Sequence, residues 1–216
     1  MHDKNPAVKE RPFLKRIILA TSNKGKLREI KELLRGIDVE VAALDEFPHI
    51  KLPPETDSTF AGNALAKARF VAQRAGMAAV ADDSGLEVDS LGGAPGVRSA
   101  RYAGDGATDR DNYLKLLSEL KGIGADKRTA RFRCAVAFVS PDGVEACFEG
   151  TLEGVITEAP RGEGGFGYDP VFFIPALDRT AAELTMAEKN SVSHRAQALR
   201  LLKSWLARSL AGDKGL

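Results

Sequence analysis

The sequence predicts an α/β protein built on a mixed sheet, and three observations lead there. Apolar runs at residues 16–21 and 78–88 are interleaved with segments whose apolar residues recur at helical spacing. Residues 130–139 and 144–157 are rich in β-formers and flank Pro141-Asp142-Gly143, a hairpin signal. Strands and helices do not alternate strictly, as an all-parallel βα sheet would require.

The elements follow in order. Residues 1–15 are polar and aperiodic and predict a flexible extension; 211–216 form a tail, leaving one domain over 16–210. After the first strand, Leu27, Ile30, Leu33, Leu34 and Ile37 mark a helix that Gly36 can end, and Val39 and Val41 mark a second strand. Pro48, Pro53 and Pro54 break the chain before a helix over about 59–75. The run 78–88 reads as a strand interrupted by Asp82-Asp83-Ser84-Gly85. Thr108 or Asp109 caps a helix over about 110–121, and Pro170–Ile174 reads as a strand. Thr185 and Glu188 fit a capping box, and Ser193 is the candidate cap of a last helix over about 194–210.

The chain has 216 residues, 44% hydrophobic, with 31 basic and 30 acidic side chains and a net charge of +1. Wholesale disorder is excluded, and near-neutrality argues against a broad nucleic-acid footprint. No apolar run approaches the ~18 residues of a membrane helix. Cys134 and Cys147 make neither a disulfide framework nor a CxxC zinc pair. The N-terminus lacks the apolar stretch of a signal peptide. The expectation is a soluble, reduced, cytoplasmic protein with no nucleic-acid or membrane partner.

Five segments can carry chemistry. Thr21-Ser22-Asn23-Lys24-Gly25-Lys26 joins a strand to a helix start, where N–H groups, hydroxyls and lysines suit phosphate. It lacks the P-loop pattern, and a capped helix start with solvated lysines is the plain alternative. Lys67 falls in the apolar stripe of Phe60, Ala64, Val71 and Ala75, so it needs an anion or a route to water. Glu55, just ahead, is a candidate metal or phosphate-site carboxylate, although taken alone it reads better as an exposed loop acid. Asp82 and Asp83 end an apolar strand and point to opposite faces in an extended chain. One could hold Mg²⁺ or take a proton from water; Asp-Asp-Ser-Gly is also turn chemistry. The loop 162–170 contains a literal GxGxxG, but a strand follows it, so the dinucleotide reading fails. Its Phe166, Gly167, Tyr168 and Asp169 suit a flat ring instead, or the loop is a mobile β-connection. Lys189, His194 and Arg195 can donate to carbonyl oxygens, or form an ordinary polar helix start.

Taken in order, TSNKGK, PPETDSTFAGNALAKA, ADDSGLEVDSLGGAPGVRSARYAG, GGFGYDPVF, TAAELT and EKNSVSHRAQAL resemble the inosine triphosphate pyrophosphatases over roughly residues 16–206. The resemblance implies hydrolysis of dITP, ITP and XTP to monophosphate and pyrophosphate, Mg²⁺, a homodimer, and an elongated mixed α/β fold of two lobes around a central cleft. Carried over, Thr21–Lys26 match the phosphate loop, Glu55 and Asp83 the metal acids, Asp83 also the proton acceptor, and Lys67 a phosphate-side lysine. Ser84 matches a substrate contact, Phe166–Asp169 the segment around base and sugar, and Lys189, His194 and Arg195 the base-recognition end.

The chemistry is consistent with that resemblance. Attack of water on the α-phosphorus needs cations to neutralise the triphosphate and a carboxylate to take the proton. Asp83 fits the base role, with Asp82 supporting the metal's water shell or the lysines. His194 and Arg195 would donate to the 6-oxygen of hypoxanthine or xanthine, and adenine's amino group would meet donors there. A broader nucleoside triphosphate pyrophosphatase, or a nucleotide-binding regulator without turnover, stays open on sequence alone.

Overall fold

The computed structural model describes residues 15–210. The expected extension over 1–15, apart from Lys15, and the expected tail over 211–216 lie outside those residues. The elements are β1 (Arg16–Leu19), α1 (Lys24–Leu33), β2 (Glu40–Ala43), α2 (Phe60–Ala75), β3 (Ala78–Val88), α3 (Asp109–Glu119), β4 (Thr129–Val139), β5 (Glu145–Ile156), β6 (Phe172–Ile174), β7 (Arg179–Thr180), α4 (Met186–Val192) and α5 (His194–Leu210). The strands form one open sheet in the order β2-β1-β3-β4-β5-β6-β7. β1 pairs parallel with both β2 and β3, and every later pairing is antiparallel. The sheet is mixed, as expected.

Strand alternation sorts the core. Ile17, Leu19, Ala78 and Val80 face α1 and α5, with Ile30, Leu34, Leu199 and Leu202 against them. Ile18, Ala79 and Ala81 face α2, whose Ala64, Ala68 and Val71 cover them. A third cluster gathers Leu86 and Val88 from the far end of β3 with Leu116, Phe132 and Phe172. β3 and β4 therefore run from the first two clusters into the third. α1 and α2 lie on opposite faces, so the gap beyond the end of β1 is a topological switch point, where open α/β sheets bind ligands.

Local signals set several boundaries. Thr59 caps α2 by accepting from Gly62 N–H, and Gly76 ends it in the left-handed region. Thr108 caps α3. Thr185 and Glu188 make the expected capping box, and Ser193 Oγ accepts from Ala196 N–H at 3.2 Å to start α5. Three expectations are corrected. β3 is one continuous strand, so Asp82–Gly85 neither end it nor form a turn; ten successive residues from Ala79 to Val88 pair with β4. α1 stops at Leu33, ahead of Gly36, whose φ of 80° belongs to the following turn. Residues 169–171 are a 3₁₀ turn, which leaves β6 only Phe172–Ile174.

Candidate active site

The loop after β1 is organised by Asn23, whose Oδ1 accepts from Gly25 N–H at 2.8 Å and Lys26 N–H at 3.0 Å. Thr21 Oγ1 accepts from Asn23 N–H at 3.2 Å. The helix start is thus self-capped, and its positive charge comes from the lysines. Ser22 and Lys24 are exposed, while Lys26 turns inward to Asp82 Oδ2 at 2.9 Å.

Asp83 shares the α2 face with Ala81. Its Oδ2 accepts from Asn63 Nδ2 at 3.0 Å and its Oδ1 from Ser84 N–H at 2.9 Å. Lys67 Nζ lies 3.8 Å from Asp83 Oδ1 and 2.6 Å from Glu55 Oε1. Lys67 is buried, so its stem does not snorkel to water; the anion it required is this carboxylate pair. Burial pushes the Asp83 carboxyl up to about 6 against the pull of Lys67, with the Glu55 charge adding to the rise. Burial works against the Glu55 charge too, but Lys67 outweighs it and holds that carboxyl below its usual range.

Asp82 faces the other way, toward α1 and α5. It is buried, and despite burial Lys26 and Arg195 hold its carboxyl well below the usual range. Arg195 Nε donates to Asp82 Oδ2 at 3.2 Å and Nη2 to Ser84 Oγ at 2.8 Å. Its Nη1 pairs with Glu29, and Glu29 Oε1 lies 3.2 Å from Lys189 Nζ. Lys189 also pairs with Asp169 Oδ2 at 2.6 Å. The loop 21–26 and the residues 189–195 thus meet through one buried carboxylate, Asp82.

Phe166 stands at the junction. A Cβ at Gly25 would lie 3.0 Å from its ring. Lys189 Nζ sits 4.5 Å and Arg195 Cζ 5.6 Å from the ring centroid. Phe166 N–H donates to Asp169 Oδ2 at 2.9 Å, and Gly167 N–H to Asp109 Oδ2 at 2.7 Å. Tyr168 is not brought to this ring: it is buried in the third cluster and donates to Ser99 O at 2.8 Å. His194 is buried, stacks on Phe132 with ring centroids 4.9 Å apart, and its Nδ1 has no partner. Gly150 makes that placement possible, because a Cβ there would lie 2.1 Å from His194 O.

Glu29, Asn63 and Arg101 are partners that sequence reasoning passed over. Asn63 lies in the apolar stripe of α2, three residues after Phe60, and carries the same polar-in-apolar signal as Lys67. Glu29 shares a face of α1 with Lys26 and Leu33.

Two acids on opposite faces of one strand, lysines on both, and an aromatic ring under two further cations place a dense charge cluster at the switch point of an open-sheet α/β protein. The Ham1 family model matches residues 17–205, and the chain belongs to that family. It is 51% identical over 191 residues to the dITP/XTP pyrophosphatase of Geobacter sulfurreducens, covering 88% of this chain and 96% of the relative. The dITP/XTP pyrophosphatase of Bacillus subtilis is 50% identical over 194 residues, covering 90% and 98%. Among solved structures, a HAM1 protein from Coxiella burnetii superposes with a TM-score of 0.83 at 44% identity, covering 89% of this chain and 98% of that one. The Staphylococcus aureus Ham1 protein gives 0.82 at 40%, covering 90% and 100%.

Proposed function

We propose that the protein hydrolyses non-standard purine nucleoside triphosphates (dITP, ITP and XTP) to the monophosphate and pyrophosphate. The observation that carries this reading is the Asp83 carboxylate, fixed by Asn63 and Ser84 beside Lys67 at the switch point. The names of the half-identical relatives support it.

Asp83 takes the proton of the attacking water, and its two hydrogen bonds hold it in one orientation for that task. Lys67 and Lys26 neutralise the phosphates and the charge that develops on the leaving pyrophosphate. Asp82 positions Lys26 and Arg195. The site also fits Mg²⁺. The Lys67 ammonium already sits between Glu55 and Asp83, which marks a place where two carboxylates converge on a cation. Mg²⁺ is commonly held by one or two carboxylates, with substrate phosphates completing its shell. Glu55 and Asp83 would hold it, and bound there it supplies charge stabilisation to the phosphates.

At the other end Phe166 offers a face for the purine, and Lys189 and Arg195 offer donors to a 6-oxygen. Adenine's amino group would meet donors there.

The test is a panel of dITP, XTP, dGTP, dATP and dUTP with Mg²⁺, reading both products. Rapid, equimolar release of monophosphate and pyrophosphate from dITP and XTP is expected. Comparable turnover of dUTP would support a broader pyrophosphatase, and tight binding without turnover a regulator. No helix among the described residues is long and apolar enough to cross a membrane. Action in the cytoplasm as a homodimer extends the proposal by the family resemblance, and light scattering tests the dimer.

A further inference from the structure

Arg101 closes the 3₁₀ turn Gly96–Arg101, which packs on β3 beside the two acids. Its Nη2 donates to Glu55 O at 3.2 Å, and its Nη1 lies 3.5 Å from Glu55 Oε2. The other carboxylate oxygen of Glu55 is held by Lys67 at 2.6 Å. One carboxylate therefore carries two cations from two different elements. Their situations differ. Lys67 is buried and has Asp83 as a second acid. The Arg101 side chain is a third exposed, and among the described residues Glu55 is the one acid within ion-pair distance of it.

A guanidinium cannot shed its charge. If Glu55 turns to a divalent cation, like charge opposes the Arg101 pairing, and Arg101 needs another anion. The anion that arrives with the metal is the triphosphate, and the planar fork of arginine suits phosphate oxygens. We infer that Arg101 is a phosphate-binding residue of this reaction, parked on Glu55 in the free protein and transferred to the outer phosphates when substrate binds. The inference rests on the pyrophosphatase reading above, with Glu55 as a metal acid.

The experiment compares wild type, Arg101→Ala, Arg101→Lys and Glu55→Gln as full chains. Calorimetry with Mg²⁺ gives the affinities for α,β-methylene-ITP and for IMP, which lacks the outer phosphates. Arg101→Ala should weaken the triphosphate analogue by about tenfold or more, as expected for a lost charge-assisted fork, and leave IMP within about twofold. Arg101→Lys should fall between, since it keeps the charge but not the fork. Each ratio is read within one preparation, so a reduced folded fraction cancels. An equal loss for both ligands, or none for either, would overturn the assignment. Mn²⁺ binding to the nucleotide-free protein, followed by paramagnetic resonance, separates the two layers. It should weaken in Glu55→Gln and hold or tighten in Arg101→Ala, where a competing cation has gone. Wild-type Mn²⁺ affinity in Glu55→Gln would overturn the metal reading and the transfer of Arg101 with it. Weakened Mn²⁺ in Glu55→Gln beside wild-type analogue binding in Arg101→Ala would sink the Arg101 assignment alone.

Discussion

Arg195 Nε lies 3.2 Å from Asp82 Oδ2, although 113 positions separate the two residues in the chain. Both are buried, and the pair ties the first turn of α5 to the middle of β3. Glu29 from α1 and Ser84 from β3 pair with the guanidinium's Nη1 and Nη2. The residue that the sequence marks as a base donor is therefore also a structural hub.

Arg195→Ala should cost stability first. It strands the buried carboxylates of Glu29 and Asp82, and breaking a buried pair from one side costs about 3–5 kcal/mol. Urea unfolding measures it. A loss within about 1 kcal/mol, typical of an exposed pair, would show that water or Lys26 satisfies these acids without the arginine.

Asp83→Asn should keep the fold and lower turnover by about 10²-fold or more, as expected for a lost proton acceptor. Asn63 Nδ2 can donate to the new amide oxygen as it does to the carboxylate, so the melting midpoint should move little. The paired measurement is kcat against thermal melting. Near-normal kcat in a stable variant would reassign the base to another group.

The sequence displayed much of this fold because many of its signals are local. The Pro141-Asp142-Gly143 hairpin, the Thr185–Glu188 box and the long α5 each depend on a few neighbouring residues. Asp82-Asp83-Ser84-Gly85 misleads for the same reason: in isolation those residues favour a turn. Their place within a strand is stabilised by Lys26, Lys67, Asn63 and Arg195, which come from three helices. The motifs named the chemistry, but the division of labour between the two acids is tertiary. So is the withdrawal of Tyr168 into the core, since its partner Ser99 lies 69 positions away.

His194 makes stability depend on pH. Burial, reinforced by the charges of Arg195, Lys189 and Lys26 and opposed by Asp82, holds its imidazole well below 6.5. Below pH 6.5 the unfolded chain then binds the proton that the fold refuses, so stability falls as pH drops, by up to about 1.4 kcal/mol per unit. His194→Phe keeps a ring on Phe132 and cannot titrate. Urea midpoints at pH 8 and pH 5.5 should drop less in the variant than in wild type. Equal drops would mean that His194 takes up its proton in the fold.

Gly85→Ala tests the packing behind the acids. A Cβ there would lie 2.4 Å from Gly96 O and 2.5 Å from Ser99 Oγ, so β3 or the turn must move. Overpacking of this kind costs about 1–3 kcal/mol. The turn carries Arg101, so weaker substrate binding should accompany the lower melting midpoint. An unchanged midpoint would show that the turn yields freely.

The run of β3 through both ends of the cleft also sets a rule for sequence drift. Adjacent residues serve opposite faces, so sliding β3 by one position against β4 would present each acid to the wrong set of cations. Substitutions near the cleft can be graded in effect, but an insertion or deletion between Ala78 and Val88 reverses the whole arrangement at once. Length changes that spare function are therefore expected in the connections, such as residues 121–127 between α3 and β4, while the eleven residues of β3 keep their count.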